Sequence, residues 1–242
     1  MDFKKKRIAW YAFLVYGAAN LFTYLFKHLH YNFQDEAFSF VFYYGHIYLS
    51  KVLEFLAPPI IATLAFLVMA SKGKLRALLF TLTVSSAKVF YTLFYYYMTY
   101  TLDYGFVLGE AIIAALLVSI VYILFTVLGV FLSIGIYSMF FKLRAHKKST
   151  ISDVAFDVEA PFADFLARGN RAVFTFALLR FLYSFLMELL DSIIFLIEYH
   201  YDYTALEIST MLFNFVLLLA LFIASYLIAA YVRKRVVIEC KE

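Results

Sequence analysis

Six apolar segments, each close to the length that crosses a lipid bilayer, follow one another along almost the whole chain. They cover residues 8–26, 47–70, 77–100, 106–135, 172–197 and 207–232. A transmembrane helix needs about 20 apolar residues, and lipid admits only helices or closed barrels because it cannot hydrogen-bond to exposed backbone groups. The chain is 65% hydrophobic, whereas soluble domains are about 45–50% apolar. We therefore predict an all-α polytopic integral membrane protein, in which residues 1–242 form a single bundle of six transmembrane helices.

Basic residues are distributed unevenly between the loops, and this distribution predicts the orientation of the chain. Of the 21 Lys and Arg residues, 17 fall in four segments: the N-terminus, the loop between the second and third spans, residues 142–171 and the C-terminal tail. The opposite loops contain only Lys27. Because cytoplasmic loops carry the excess of Lys and Arg, we expect both termini to be cytoplasmic, in the plasma membrane by default. The net charge of +4 comes from these loop residues, so no nucleic-acid partner is expected.

Residues 1–26 allow a second interpretation, a cleaved signal peptide. The basic N-terminus, the apolar stretch and the small residues Gly17-Ala18-Ala19 match the parts of such a signal. The apolar run continues through Leu21 and Phe22, which favours a first transmembrane helix.

Four places depart from a simple series of spans and loops. Residues 27–46 read as a polar and aromatic loop whose alternating phenylalanines suggest a segment lying at the interface. Pro58-Pro59 should kink or break the second span, because proline removes a backbone donor. The apolar run 106–141 exceeds one span, so it either continues as helix beyond the bilayer or bends. The loop 142–171 is expected to contain a short helix on the membrane surface, near residues 161–169.

Charged residues inside the spans are the strongest functional signal. Arg180, Glu188 and Asp191 lie in one apolar segment, and a helix turn of about 100° per residue places Asp191 within about 20° of Arg180. A charge at the bilayer centre costs between about 3 and more than 10 kcal/mol, so this face should avoid lipid. We predict an intramembrane polar cluster around a cavity open to the outside, with Lys88 paired to Glu188. Its members are Lys88, Arg180, Glu188, Asp191, Glu54, Glu110 and Lys51. The competing interpretation is structural ion pairs, within the bundle or with another subunit.

A group of histidines and carboxylates is predicted on the outer side. Imidazole and carboxylate together suit Zn²⁺ or a similar cation, but their spacing matches no diagnostic motif, so whether a metal binds stays open. Hydrogen-bonding roles are the alternative. The residues are His28, His30, His46 and His200, with Asp35, Glu36, Glu198 and Asp202.

The functional hypotheses follow from these features and from what the sequence lacks. It has no nucleotide-binding loop, dinucleotide fingerprint or hydrolase elbow, and no cofactor is expected. The leading hypothesis is a permease-like or solute-binding or ion-binding membrane protein, whose partners are the bilayer and a small solute or cation. The alternative is a non-catalytic accessory subunit of a larger membrane complex. A lipid-modifying enzyme is less favoured; Glu54, Glu110, Asp191 and His46 would lie at headgroup depth in that case.

Overall fold

The computed structural model of the chain describes residues 5–32, 36–97, 108–148, 169–199 and 205–239. These residues form six helices: α1 (Lys5–Asn32), α2 (Glu36–Lys72), α3 (Lys74–Tyr96), α4 (Leu108–Lys148), α5 (Asn170–Tyr199) and α6 (Ala205–Glu239). All but α1 contain a stretch long and apolar enough to cross a membrane. Those stretches are Val41–Met69, Lys74–Tyr96, Gly109–Phe140, Asn170–Ile194 and Met211–Arg235. The protein is therefore an all-helical integral membrane protein, while α1 as a sixth span and the cytoplasmic termini stay predictions.

The hairpin of α1 and α2 is longer than the sequence predicts. The expected loop 27–46 is largely helical, because α1 continues to Asn32 and α2 begins at Glu36. The prediction of a loop there was wrong, while the position of this segment relative to the membrane interface stays a prediction. Phe26 of α1 packs edge-on against Phe42 of α2, with ring centroids 5.8 Å apart, and Gly45 allows the same ring to approach the α2 backbone. Contacts between the two helices thus extend helical structure beyond the continuous apolar run.

Two further expectations concerned helix continuity. Helix α2 continues through Pro58 and Pro59, so the pair does not break it. Helix α4 contains 41 residues without interruption, which corresponds to about 60 Å, twice the thickness of the hydrocarbon core. Of the two alternatives for the long apolar run, the structure therefore shows a helix that extends beyond one span. The expected surface helix near residues 161–169 lies outside the described residues.

Helix α2 is the centre of the bundle, because it contacts each of the other five helices. Its second half packs into the main apolar core, where Ala65, Phe66 and Leu67 are almost completely buried. Phe66 meets Tyr137 of α4 and Phe176 of α5 edge-on. A smaller apolar cluster joins Phe55 of α2 to Leu218 and Leu221 of α6. The main core therefore fills one end of the bundle, and the charged residues of α2 lie before it.

Gly73 makes the turn between α2 and α3 in a single residue. Its φ of 88° lies in the left-handed region, which glycine adopts without the steric cost of a Cβ atom. Its amide donates to the carbonyl of Met69 at 2.7 Å and so closes the last turn of α2. This tight turn makes α2 and α3 neighbours in the bundle, with Glu54 and Lys88 at matching depth.

Candidate intramembrane binding site

Charged and tyrosine side chains from five helices converge near the middle of α2. We call this group the polar centre; it consists of Tyr16, Lys51, Glu54, Lys88, Tyr122, Arg180 and Glu188. Lys88 of α3 donates to Glu54 Oε1 of α2 at 2.6 Å, and its ammonium group lies 3.8 Å from the ring centroid of Tyr122 on α4. The hydroxyl groups of Tyr122 and Tyr16 of α1 are hydrogen-bonded at 2.6 Å. Four helices are thereby linked through one lysine and its neighbours.

A second ion pair joins α2 to α5. Lys51 donates to Glu188 Oε1, and both side chains are partly exposed, 29% and 28% respectively. The predicted pair of Lys88 with Glu188 is therefore wrong, because Lys88 is bound to Glu54 and Glu188 to Lys51. The sequence predicts the depth of each of these residues within its span. It does not predict the rotation of each helix about its axis, because packing around α2 sets that rotation.

Arg180 completes the polar centre from α5. Its guanidinium carbon lies 5.8 Å from the ring centroid of Phe55 and 5.3 Å from that of Tyr183. Within the described part of the chain, its Nε atom is buried and has no hydrogen-bond acceptor. Glu54 is close enough to act electrostatically on Arg180, but its carboxylate already accepts from Lys88. Arg180 is thus the one cation of the polar centre that forms no ion pair with a described residue.

The proline pair of α2 adds backbone acceptors at the same level. Proline has no amide proton, so the carbonyl groups of Glu54 and Phe55, four residues before Pro58 and Pro59, lack their usual helical donors. One turn later the side chain of Thr63 donates from Oγ1 to the carbonyl of Pro59 at 2.7 Å. Two carbonyl groups beside the polar centre therefore lack the amide donor that a regular helix supplies.

Glu54 has a more exposed side chain than its neighbours at the same depth. It lies at the middle of the apolar stretch Val41–Met69, on the helix that contacts all five others. Its side chain is nevertheless 51% exposed, whereas that of its partner Lys88 is only 12% exposed. The next residue, Phe55, is 1% exposed. The exposed side of this carboxylate faces either a gap between neighbouring helices or the outer surface of the bundle.

The remaining members of the predicted cluster lie elsewhere. Glu110 is exposed in the first turn of α4, where a carboxylate is favoured by the positive end of the helix dipole. Asp191 is exposed on α5, about 16 Å along the helix from Arg180. The structure brings together Lys51, Glu54 and Lys88 with Arg180 and Glu188 of α5, and it leaves Glu110 and Asp191 outside this group.

The histidines that are predicted on the outer side each have a contact where the structure describes them. His46 Nδ1 lies 3.0 Å from the carbonyl oxygen of Thr23, His30 packs on the ring of Tyr43 and His28 stacks on Tyr24. No three His, Cys, Asp or Glu residues with described side chains are grouped closely enough to hold a metal ion. His200, Asp35 and Asp202 lie outside the described residues.

Tyr16 and Tyr122 are the members of the polar centre that the sequence analysis missed. Both lie deep inside apolar segments and away from the membrane interface, where tyrosine usually occurs. A buried tyrosine hydroxyl needs a hydrogen-bond partner. Their depth was therefore an available signal, although the 21 tyrosines of the chain obscured it.

No protein-family model, curated protein or solved structure matches this chain. The geometry of the polar centre and the chemistry of its residues are therefore the indications of function that this protein offers.

Proposed function

We propose that the protein binds a small solute at the polar centre and acts as a permease or as the solute-binding component of a transport system. The observation that carries this proposal is the 51% exposure of Glu54 at the middle of the central helix. Charged residues inside a membrane bundle commonly line solute or ion pathways, because their cost in lipid is otherwise high. An opening flanked by two ion pairs and an additional arginine offers a solute both polar contacts and aromatic walls.

The freed carbonyl groups of Glu54 and Phe55 support the same proposal. Interrupted hydrogen bonding in a membrane helix is tolerated where the backbone lines a cavity or is otherwise buried in protein, and such sites bind substrates in many transporters. Here the two freed carbonyl groups and the exposed carboxylate lie within one turn of α2, and Lys88 of α3, which is 12% exposed, contacts that carboxylate. The ion pairs alone would also fit a purely structural role, so the decisive property is whether water reaches Glu54.

Thiol accessibility tests this property directly. Cys240 is the only cysteine, so a Cys240→Ser background permits single cysteines to be labelled. We expect Glu54→Cys to react with a small, anionic, membrane-impermeant thiol reagent, which would also restore a negative charge beside Lys88. Two controls bracket the result: Phe55→Cys replaces a side chain that is 1% exposed, and Leu128→Cys occupies a position that is 64% exposed and should face lipid.

The controls separate water from lipid at Glu54. Thiols in lipid do not ionise and meet no polar reagent, so Leu128→Cys should stay unlabelled despite its exposure. If Glu54→Cys is equally unreactive, the exposed side of Glu54 faces lipid and the solute-binding proposal fails. If it is labelled, protection of the thiol by candidate solutes provides a binding assay with which a panel of unrelated compounds can be screened.

The exposed Asp191 favours a second candidate, an accessory subunit of a membrane complex. No described residue forms an ion pair with it, and the side chains of Leu190 and Ile194 beside it are also exposed. A carboxylate on an apolar helix surface is stabilised if a partner helix supplies a cation. Gentle extraction followed by native mass measurement tests this candidate: a stoichiometric second chain, lost in Asp191→Leu, would support it.

A further inference from the structure

One of the three positive charges of the polar centre has no carboxylate partner in an ion pair with a described residue. Lys51 is neutralised by Glu188 and Lys88 by Glu54. Arg180 has no carboxylate of its own among the described residues, and its buried Nε has no acceptor. The described part of the polar centre therefore holds three cations against two carboxylates, and the excess charge is on a guanidinium group.

Arg180 lies deep enough for this excess to matter. It is ten residues into the apolar stretch Asn170–Ile194, or about 15 Å from its start, near the middle of a hydrocarbon core of about 30 Å. An arginine at that depth is unfavourable unless an anion, a dipole or water compensates its charge. Phe55 and Tyr183 provide only ring faces, and a ring face compensates a guanidinium charge much less than a carboxylate does. The carboxylate of Glu54 also acts on Arg180, but it is shared with Lys88.

Arg180 lies between one buried ring and one exposed ring. Phe55 is 1% exposed, whereas Tyr183 is 56% exposed, so the guanidinium lies between the packed interior and the surface of the bundle. Guanidinium presents a planar fork of donors that matches the two oxygens of a carboxylate or phosphate group.

We propose that Arg180 binds the carboxylate or phosphate group of a small anionic ligand, with Phe55 and Tyr183 holding the guanidinium plane. The inference rests on the proposed function and specifies its substrate class: the solute is an anion. The depth of Arg180 favours a free solute over the headgroup of an anionic lipid, since headgroups lie at the bilayer surface.

The test uses the full-length protein in vesicles of zwitterionic lipid, with succinate and inorganic phosphate as probes and chloride at equal ionic strength as the reference. We expect one of the two probes to raise the melting temperature saturably. Arg180→Gln should weaken its apparent affinity at least tenfold. Arg180→Lys keeps the charge but loses the planar fork of donors, so its apparent affinity for the anion should lie between those of the wild-type protein and Arg180→Gln. Arg235→Gln is the matched control, because Arg235 is an exposed arginine that also contacts a tyrosine ring.

Each of the following outcomes would overturn the inference. Succinate and phosphate could have no more effect than chloride, or the shift could persist in Arg180→Gln, or Arg235→Gln could lose the shift equally. If Arg180→Gln does not fold, retention of full affinity by Arg180→Lys would be sufficient to reject recognition through the guanidinium fork. A co-purifying protein whose carboxylate crosslinks to position 180 would also reject it, in favour of an interface.

Vesicles containing phosphatidylglycerol distinguish the two sources of the anion. If this lipid stabilises the protein, Arg180→Gln abolishes that effect, and neither succinate nor phosphate acts, the ligand of Arg180 is a lipid headgroup and the proposal of a small anionic solute is rejected. The inference and the proposed function fail separately. Labelling of Glu54→Cys that is protected only by neutral or cationic solutes would leave solute binding intact and reject the anion.

Discussion

The two ion pairs of the polar centre should respond differently when one partner is removed. In the pair of Lys88 and Glu54, the cation is 12% exposed and the carboxylate 51% exposed. Glu54→Gln leaves a buried, unpaired ammonium group, and loss of one partner of a buried pair costs about 3–5 kcal/mol. Lys88→Met leaves a carboxylate that water or a proton can reach, so we expect a smaller loss of about 1–2 kcal/mol. We therefore expect Lys88→Met to be more stable than Glu54→Gln by about 2 kcal/mol.

The pair of Lys51 and Glu188 is the internal control for this prediction. Its partners are 29% and 28% exposed, so Lys51→Met and Glu188→Gln should lower the free energy of unfolding by amounts that agree within about 0.5 kcal/mol. The assay is reversible unfolding in mixed micelles of increasing SDS content, followed by far-UV circular dichroism. The double variant Glu54→Gln/Lys88→Met should lose less than the sum of the single variants, because it leaves no unpaired charge.

A loss in Lys88→Met that equals or exceeds the loss in Glu54→Gln would contradict this prediction. Burial would then not determine the energetics of the pair. Water would then not reach Glu54 in the folded protein, and this result would also remove the main support for solute binding.

Three further predictions concern topology and packing. If the C-terminus is cytoplasmic, a membrane-impermeant maleimide should label Cys240 only after cells are permeabilised; labelling in intact cells would reverse the orientation. Tyr16→Phe and Tyr122→Phe should each lower the free energy of unfolding by about 0.5–1.5 kcal/mol. The double variant should lose little more than either single variant, because both substitutions remove the same hydrogen bond. Fully additive losses would contradict that bond. Gly45→Ala would place a Cβ atom 2.8 Å from a phenylalanine ring carbon of α1, so it should destabilise the protein by about 1–3 kcal/mol. Gly129→Ala, with no described atom within 4 Å, should be neutral or stabilising. Equal melting temperatures for the two variants would argue against the close approach of α1 and α2.

A structural role and a solute-binding role for the charged residues predict different surroundings for Glu54. Structural ion pairs are best served by exclusion of water, which strengthens their attraction. A binding site needs access for the solute and at least one group whose bonding is incomplete before the solute arrives. The exposure of Glu54 and the unpaired Nε of Arg180 favour the second interpretation, and the thiol-labelling experiment measures the access itself.

The solvent of this protein and the class of its fold could be read from the sequence alone. Long apolar segments can satisfy their backbone groups in lipid only as helices, and this requirement is local, so each segment could be assigned independently of the others. The helical stretches that the structure contains follow these segments closely. The same local reasoning identified the costly residues, since a charge such as Arg180 in an apolar segment is conspicuous in any arrangement.

Helix boundaries and the partners of the charged residues depend instead on tertiary structure. Contact between Phe26 and Phe42 extends α1 and α2 through a segment that looks like a loop, because packing against a neighbouring helix outweighs weak local preference. The pairing of Lys88 with Glu54 depends on how each helix is rotated about its axis. That rotation is set by close packing and charge pairing over the whole bundle, so no single segment contains the information. Asp191 shows the same limit: it shares a helical face with Arg180, yet it is exposed because α5 beyond Glu188 presents mostly exposed side chains.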